Sequence, residues 1–134
     1  MLANEMNRNE SEEANPSALR RLFEDSAIAK LLDFLTLYRD FDYSKVEISR
    51  NSGVSWKTMY RLWPLLEKYN LVVKTRQVGR ATLYKLNTDN PIARALHDLT
   101  LQISVYDAEK IVQEELNEEE LTKKETIKVT TPTT

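Results

Sequence analysis

The basic side chains of this chain are concentrated between residues 43 and 86. This segment holds nine lysines and arginines against two glutamates, a net charge of +7, whereas the whole chain of 134 residues carries −2. The remaining residues therefore sum to −9. A compact cationic segment attracts polyanions, and a phosphate backbone is the commonest of these. The chemistry to expect is attraction of a phosphate backbone to this segment, whose cations are Lys45, Arg50, Lys57, Arg61, Lys68, Lys74, Arg76, Arg80 and Lys85.

Few residues are suited to catalysis or metal binding. The sequence contains no cysteine, His97 is its single histidine, and glycine occurs only at positions 53 and 79. Catalytic triads, thiolate or histidine metal sites and glycine-rich phosphate loops are therefore unavailable. We expect a protein that is not an enzyme, with no metal and no other cofactor.

The composition also indicates the cellular compartment in which the protein is expected. Absence of cysteine fits a reducing interior. No apolar run approaches the roughly 20 residues of a membrane span, and the first residues lack the basic and apolar regions of a signal peptide. The expectation is a cytoplasmic protein with no membrane partner.

Two helices joined by a glycine turn position the first group of cations. Ser44 can cap a helix over residues 45–51, with Val46, Ile48 and Val54 supplying its inward contacts. Gly53 can take the left-handed conformation that ends this helix, and Ser55 can cap the next one, over 55–69. Its inward face is predicted to be Met59, Leu62, Trp63 and Leu66. Its opposite face presents Trp56, Lys57, Thr58, Tyr60 and Arg61.

A β-hairpin positions the second group. Residues 71–77 and 81–86 are β-branched or alternate apolar with polar side chains, and Val78-Gly79-Arg80 supplies a glycine turn between them. The hairpin tip is therefore cationic. An extended piece at residues 41–43 would pair with this hairpin.

The flanking segments are helical or disordered. Residues 1–15 form an acidic arm that we expect to be disordered. Asn15 and Pro16 start a short helix. Asp25 or Ser26 caps a longer helix up to Asp40, and its inward face is Ile28, Leu31, Leu32, Leu35 and Tyr38.

Within the central segment, Pro64 should bend the helix over 55–69. A last helix runs from Pro91 to about Leu116, and residues 117–134 are expected to be a disordered tail.

The last helix carries an apolar seam with 4-3-4-3 spacing, which is typical of paired helices. The seam consists of Ile92, Leu96, Leu99, Ile103 and Tyr106. It could pack on the chain's own first long helix. We favour a homodimer interface, because the helix is longer than the domain requires.

Residues 46–62 (VEISRNSGVSWKTMYRL) and 71–87 (LVVKTRQVGRATLYKLN) together resemble the winged helix-turn-helix transcriptional regulators. The chain is most similar to small archaeal and bacterial regulators of the multiple-antibiotic-resistance and arsenic-resistance repressor type. The resemblance covers roughly residues 26–106. It implies a mainly α fold with a small β-hairpin (α+β), a winged helix-turn-helix with a long C-terminal helix.

The resemblance also implies which residues meet DNA. In this family the helix after the glycine turn enters the major groove, the hairpin wing touches the backbone or minor groove, and terminal helices often dimerise. By position, the groove-facing residues are Ser55, Trp56, Lys57, Thr58, Tyr60 and Arg61, and the wing residues are Arg76, Gln77, Gly79, Arg80 and Thr82. Without cysteine, the thiolate metal-sensing sites of the arsenic-type repressors cannot exist here.

The leading hypothesis is a homodimeric, sequence-specific regulator that binds double-stranded DNA. Residues 16–90 would be the DNA-binding domain and 91–116 the dimerisation helix, with Lys45, Lys74, Arg76 and Arg80 on phosphates. One alternative is a winged-helix module that docks partner proteins in a transcription, replication or segregation complex. Another is a non-specific chromosome architectural protein. At residue level, the cationic faces could be merely solvated, and Trp56 could pack on the neighbouring short helix.

Overall fold

The computed structural model describes residues 17–130 and divides into two units, Met1–Thr100 and Leu101–Thr134. The predicted acidic arm and the Asn15–Pro16 helix start lie outside the described residues. The elements in chain order are α1 (Ala18–Leu22), α2 (Ala27–Leu37), β1 (Tyr43–Ser44), α3 (Lys45–Ser52), α4 (Trp56–Lys68), β2 (Val72–Val78), β3 (Ala81–Leu86) and α5 (Pro91–Thr130). The predicted class, mainly α with a small sheet and a long last helix, is confirmed.

Hydroxyl caps and left-handed residues fix several of the helix ends. Ser26 accepts a hydrogen bond from the Ala29 amide, and Ser44 and Glu47 form a reciprocal capping box at the start of α3. Gly53 ends α3 at φ 74°, and Asn70 follows α4 at φ 51°. Helix α2 ends at Leu37, three residues before the predicted Asp40. Helix α4 continues through Pro64 to Lys68, and the bend expected at this proline stays a prediction.

The sheet has three antiparallel strands in the order β1-β3-β2. Tyr43 lies opposite Tyr84, which confirms the expected pairing of the extended piece with the hairpin. Strand β2 extends one residue further than predicted, so that Val78 faces Ala81 across a turn in which Gly79 has φ 60°. A bulge at Thr75 interrupts the pairing between Lys74 and Arg76.

One hydrophobic core joins the helices to the sheet within the first unit. Its members are Leu31, Phe34, Leu35, Ile48, Val54, Met59, Trp63, Leu66, Leu71, Leu86 and Ala93. Two predicted inward residues are wrong: Val46 is 51% exposed and Tyr38 is 44% exposed. Val46 lies two residues from Ile48, which is about 200° around a helix, so a helix of two turns that buries Ile48 turns Val46 outward.

A buried carboxylate holds α1 against α2. Asp33 of α2 is 6% exposed and accepts hydrogen bonds from the Leu19 and Arg20 amides, both at 3.0 Å, and from the Ser17 hydroxyl. The first amides of a helix have no partners within it, so Asp33 supplies acceptors that α1 lacks.

Helix α5 is longer than predicted. The sequence placed its end near Leu116 and a disordered tail over 117–134, whereas the helix continues to Thr130. Between residues 117 and 130 there is neither glycine nor proline, and Glu119 and Glu120 each precede a lysine by four residues, the favourable order for an ion pair along a helix. Residues 131–134 lie outside the described part. In residues 17–130, no helix combines the length and apolar character needed to cross a bilayer.

We predict that Asp33→Ala lowers the free energy of unfolding by about 2–3 kcal/mol, because buried amides lose a charged acceptor. Urea denaturation followed by circular dichroism measures this. Asp25→Ala is the control, since Asp25 is exposed and its ion pair with Arg20 lies at the surface. Equal unfolding midpoints for the two variants would show that Asp33 does not anchor α1.

Candidate nucleic-acid interface

The first two turns of α4 present the predicted groove-facing side chains to solvent. Trp56 is 48% and Tyr60 69% exposed, with ring centroids 6.4 Å apart, and Lys57 and Arg61 are exposed beside them. Ser55 differs from the others because its hydroxyl caps the helix. It accepts from the Thr58 amide at 3.2 Å and donates to the Thr58 hydroxyl at 2.9 Å.

The buried face of α4 fixes the direction of these side chains. Met59, Trp63 and Leu66 are each at most 3% exposed, as the apolar spacing predicted. The indole nitrogen of Trp63 donates to Glu67 Oε1 at 2.7 Å, so this large ring is held both by packing and by a hydrogen bond. Rotation of α4 about its axis would expose this face.

A cluster of three residues, Lys45, Trp63 and Tyr84, joins α3, α4 and β3. The rings of Trp63 and Tyr84 meet edge to face with centroids 5.0 Å apart. Lys45 Nζ lies 5.0 Å from the Trp63 centroid and 5.4 Å from the Tyr84 centroid. The sequence predicted Lys45 as a phosphate contact, and the structure places its ammonium on this aromatic cluster.

The hairpin register separates the predicted wing residues onto two faces. Directly opposed residues of antiparallel strands share a face. Lys74 is opposite Tyr84 and Gln77 opposite Thr82, so all four share the face from which Tyr84 contacts Trp63 of α4. Residues three apart in a regular strand lie on opposite faces, and the bulge at Thr75 is what puts Lys74 and Gln77 on the same face. Arg76 is opposite Leu83, on the other face.

Arg76 forms a two-pronged ion pair that the sequence analysis missed. Its Nε lies 3.0 Å from Asp42 Oδ2 and its Nη2 3.2 Å from Oδ1, and the Thr75 hydroxyl donates to Asp42 at 2.6 Å. The hydrogen bond from Arg76, then that from Thr75, lowers the pKa of Asp42 below its ordinary value. Asp42 is 34 residues from Arg76, so only the pairing of β1 with the hairpin could have suggested it. Gly79 and Arg80 are exposed at the tip.

Helix α5 presents the predicted seam and a second apolar stripe. In the seam, Leu96, Leu99 and Ile103 are half-buried, and Ile92 and Tyr106 are exposed. The second stripe, which the sequence analysis missed, is exposed throughout and consists of Leu101, Val105, Ala108, Val112 and Leu116. At 100° per residue this stripe lies on the opposite side of the helix from Ile103 and Tyr106. Its 4-3-4-4 spacing was present in the sequence and could have revealed it.

Metal binding finds no support in the described part of the chain, where no cluster of three or more histidine, aspartate or glutamate side chains is placed to hold an ion.

Comparison with known proteins identifies the fold. No family model matches the sequence, and no curated protein matches it. Among solved structures, the chain is similar to MepR, a transcription regulator of the Staphylococcus aureus multidrug efflux pump MepA, at a TM-score of 0.55 and 15% identity over 96% of each chain. It is also similar to ZitR, a zinc-responsive MarR family member of Lactococcus lactis, at 0.52 and 12% over 96% of each chain. The predicted resemblance to winged-helix regulators is confirmed at the level of the fold.

The Asp42–Arg76 pair should make stability depend on pH. The pKa of Asp42 is lower in the folded state, so its ionised form stabilises the fold above about pH 4, and this contribution is lost as the pH falls through the folded pKa. We predict that wild type melts above Asp42→Asn near pH 7 and that the difference closes below about pH 4. Arg76→Gln should reduce the difference near pH 7 and leave the smaller part that the Thr75 hydroxyl contributes. Thermal melts measured from pH 2 to 7 would contradict the pairing if the difference widened in acid.

Proposed function

We propose that this chain is a sequence-specific regulator of transcription that binds double-stranded DNA as a homodimer in the cytoplasm. The observation that carries the proposal is the joining of α4 to the hairpin through the Trp63–Tyr84 contact, which gives the exposed residues of both elements a fixed relative position. The shared fold with proteins described as transcription regulators supports the same conclusion.

Helix α4 is the element that enters the major groove. Lys57 and Arg61 are one turn apart and both exposed, so the two cations project from the same side of the helix. A guanidinium can bind O6 and N7 of guanine together, and the major groove admits an α-helix. In this proposal Arg61 reads a guanine, Lys57 binds a neighbouring base or phosphate, and Ser55 and Thr58 hold the helix start in shape.

The hairpin fixes the orientation of the protein on the duplex. Lys74, Gln77 and Thr82 share the face that carries Tyr84, and they reach the backbone beside the groove occupied by α4. Gly79 has no side chain, so the turn can approach DNA closely while Arg80 binds a phosphate. Arg76 lies on the other face of the hairpin, and Asp42 holds its Nε and Nη2, so a phosphate contact by this residue would use Nη1 from that face.

The homodimer forms through the seam on α5. Ile92, Leu96, Leu99, Ile103 and Tyr106 line one side of this helix, and the half-buried members keep apolar area that a partner helix can cover. A two-fold dimer places two copies of α4 on half-sites about one helical turn of DNA apart. The operator is therefore expected to be a near-palindrome.

A docking module for partner proteins is the second candidate, and the exposed second stripe on α5 favours it. An uninterrupted apolar stripe on an acidic helix is a surface that a partner segment can cover. Binding of purified protein to DNA separates the two candidates. Tight, salt-dependent and sequence-preferring binding supports the regulator, whereas weak binding to all sequences supports the module.

Replacing Arg61 and Arg80 should affect DNA binding in different ways. Arg61→Ala should relax preference at one base pair by about 1–3 kcal/mol. Arg80→Ala should weaken binding to all sequences alike and reduce the slope of log affinity against log salt by about 1 per protomer. Fluorescence anisotropy with matched and mismatched duplexes at several salt concentrations measures both effects.

Lys110→Ala is the matched control, because Lys110 is an exposed cation on α5 outside the proposed interface. It should change neither the preference nor the slope. If Arg61→Ala weakened all duplexes equally, Arg61 would have no base-reading role. If no variant showed an effect confined to one base pair, a non-specific architectural protein would be the better description.

Substitution within the seam should dissociate the dimer. Ile103→Asp would place a charge between two paired helices, where desolvation is unfavourable, so the variant should elute as a monomer in size-exclusion chromatography with light scattering. Val105→Asp, on the second stripe, is the control and should remain dimeric. Dissociation by Val105→Asp but not by Ile103→Asp would assign the dimer to the second stripe.

A further inference from the structure

The exposed face of α4 carries a restricted set of base-reading groups. Residues 55–61 include no asparagine, glutamine, aspartate or glutamate. Amides are the usual readers of adenine, and carboxylates accept from the amino group of cytosine. The hydroxyls of Ser55 and Thr58 are hydrogen bonded to each other at 2.9 Å and cap the helix. The first two turns therefore read bases with two cations and two aromatic rings.

The two rings form a continuous apolar surface beside the cations. Trp56 and Tyr60 are four residues apart, their centroids are 6.4 Å apart, and their planes are inclined by 40°. Neither belongs to the hydrophobic core. Leaving two large rings in water forgoes the free energy that burial would provide, so this surface gains most from a partner that offers an apolar group.

The major groove offers one such group. The largest apolar group on the base edges there is the C5 methyl of thymine, and 5-methylcytosine presents the same methyl at the same position. Arg61 follows Tyr60 on the helix, so a guanine bound by Arg61 lies within about one or two base steps of a methyl beneath the rings.

We propose that Trp56 and Tyr60 read a pyrimidine C5 methyl group next to the guanine bound by Arg61. This inference rests on the proposed function, because it requires α4 to occupy the major groove. The rings cover the methyl and exclude water from it. Loss of one buried methyl should weaken binding about fourfold. The recognition helix is thereby selective for a thymine, or a 5-methylcytosine, adjacent to guanine.

Single-atom changes in the DNA test this proposal. A preferred duplex is first selected from a random pool with the full-length protein, and each thymine is then replaced in turn by uracil, which removes only the methyl. We expect one or two positions per half-site where uracil weakens wild-type binding about fourfold. At those positions, 5-methylcytosine should bind more tightly than cytosine by a similar factor. Equal effects of the two substitutions would show that the methyl itself is read, whichever pyrimidine carries it.

Protein variants then assign the effect to the rings. In Trp56→Ala or Tyr60→Ala, uracil and thymine should bind equally at the affected position, with folding checked by circular dichroism. Leu65→Ala is the control, since Leu65 is an exposed apolar residue on the same helix outside the pair, and it should keep the uracil effect.

The possible results test the methyl proposal and the proposed regulatory function separately. Tight, sequence-preferring binding by wild type with no uracil effect at any position would overturn the methyl proposal and leave the regulator intact. A uracil effect that persists in both ring variants would also overturn it. Failure of wild type to prefer any duplex in the selection would overturn the proposed function together with this inference.

Discussion

The contact between Trp63 and Tyr84 is the constraint that fixes the positions of α4 and the hairpin. It ties the buried side of α4 to the inner face of the hairpin, and Lys45 of α3 stacks on both rings. Because cores are close-packed, a helix held in this way has little freedom to rotate. The exposed cations of α4 and those of the hairpin are therefore held in a fixed relative position.

Polar side chains of α4 and the hairpin divide between those that support the fold and those that are exposed to solvent. Ser55 and Thr58 complete a helix cap, and Asp42 holds Arg76 by two hydrogen bonds. Lys57, Arg61, Lys74 and Arg80 are exposed around them. The side chains that form hydrogen bonds within the protein keep this region rigid, and few exposed side chains remain to contact a ligand. The identity of each exposed residue therefore has a large effect on what is bound.

Local signals made most of the fold predictable from the sequence. Ser44, Gly53 and Ser55 fix helix ends through backbone chemistry that depends on near neighbours, and the apolar spacing of α4 identifies its buried face. The Asp42–Arg76 pair depends on strand pairing across 34 residues, so local spacing cannot reveal it. The charge of Lys45 predicts a phosphate contact. That charge carries no information about the rings of Trp63 in α4 and Tyr84 in β3, on which the ammonium lies. The sequence predicts the end of α5 too early, because mixed charge is typical of disorder, whereas glutamates that precede lysines by four residues favour a helix.

The most direct test of the account is amide chemical-shift mapping by NMR, with isotope-labelled full-length protein titrated with its selected duplex. The account predicts that the large perturbations fall in residues 55–61 and 74–82, and that residues 109–125 are little changed. Perturbations centred on residues 109–125, with α4 and the hairpin unaffected, would contradict the claim that these two elements form a single DNA-binding surface.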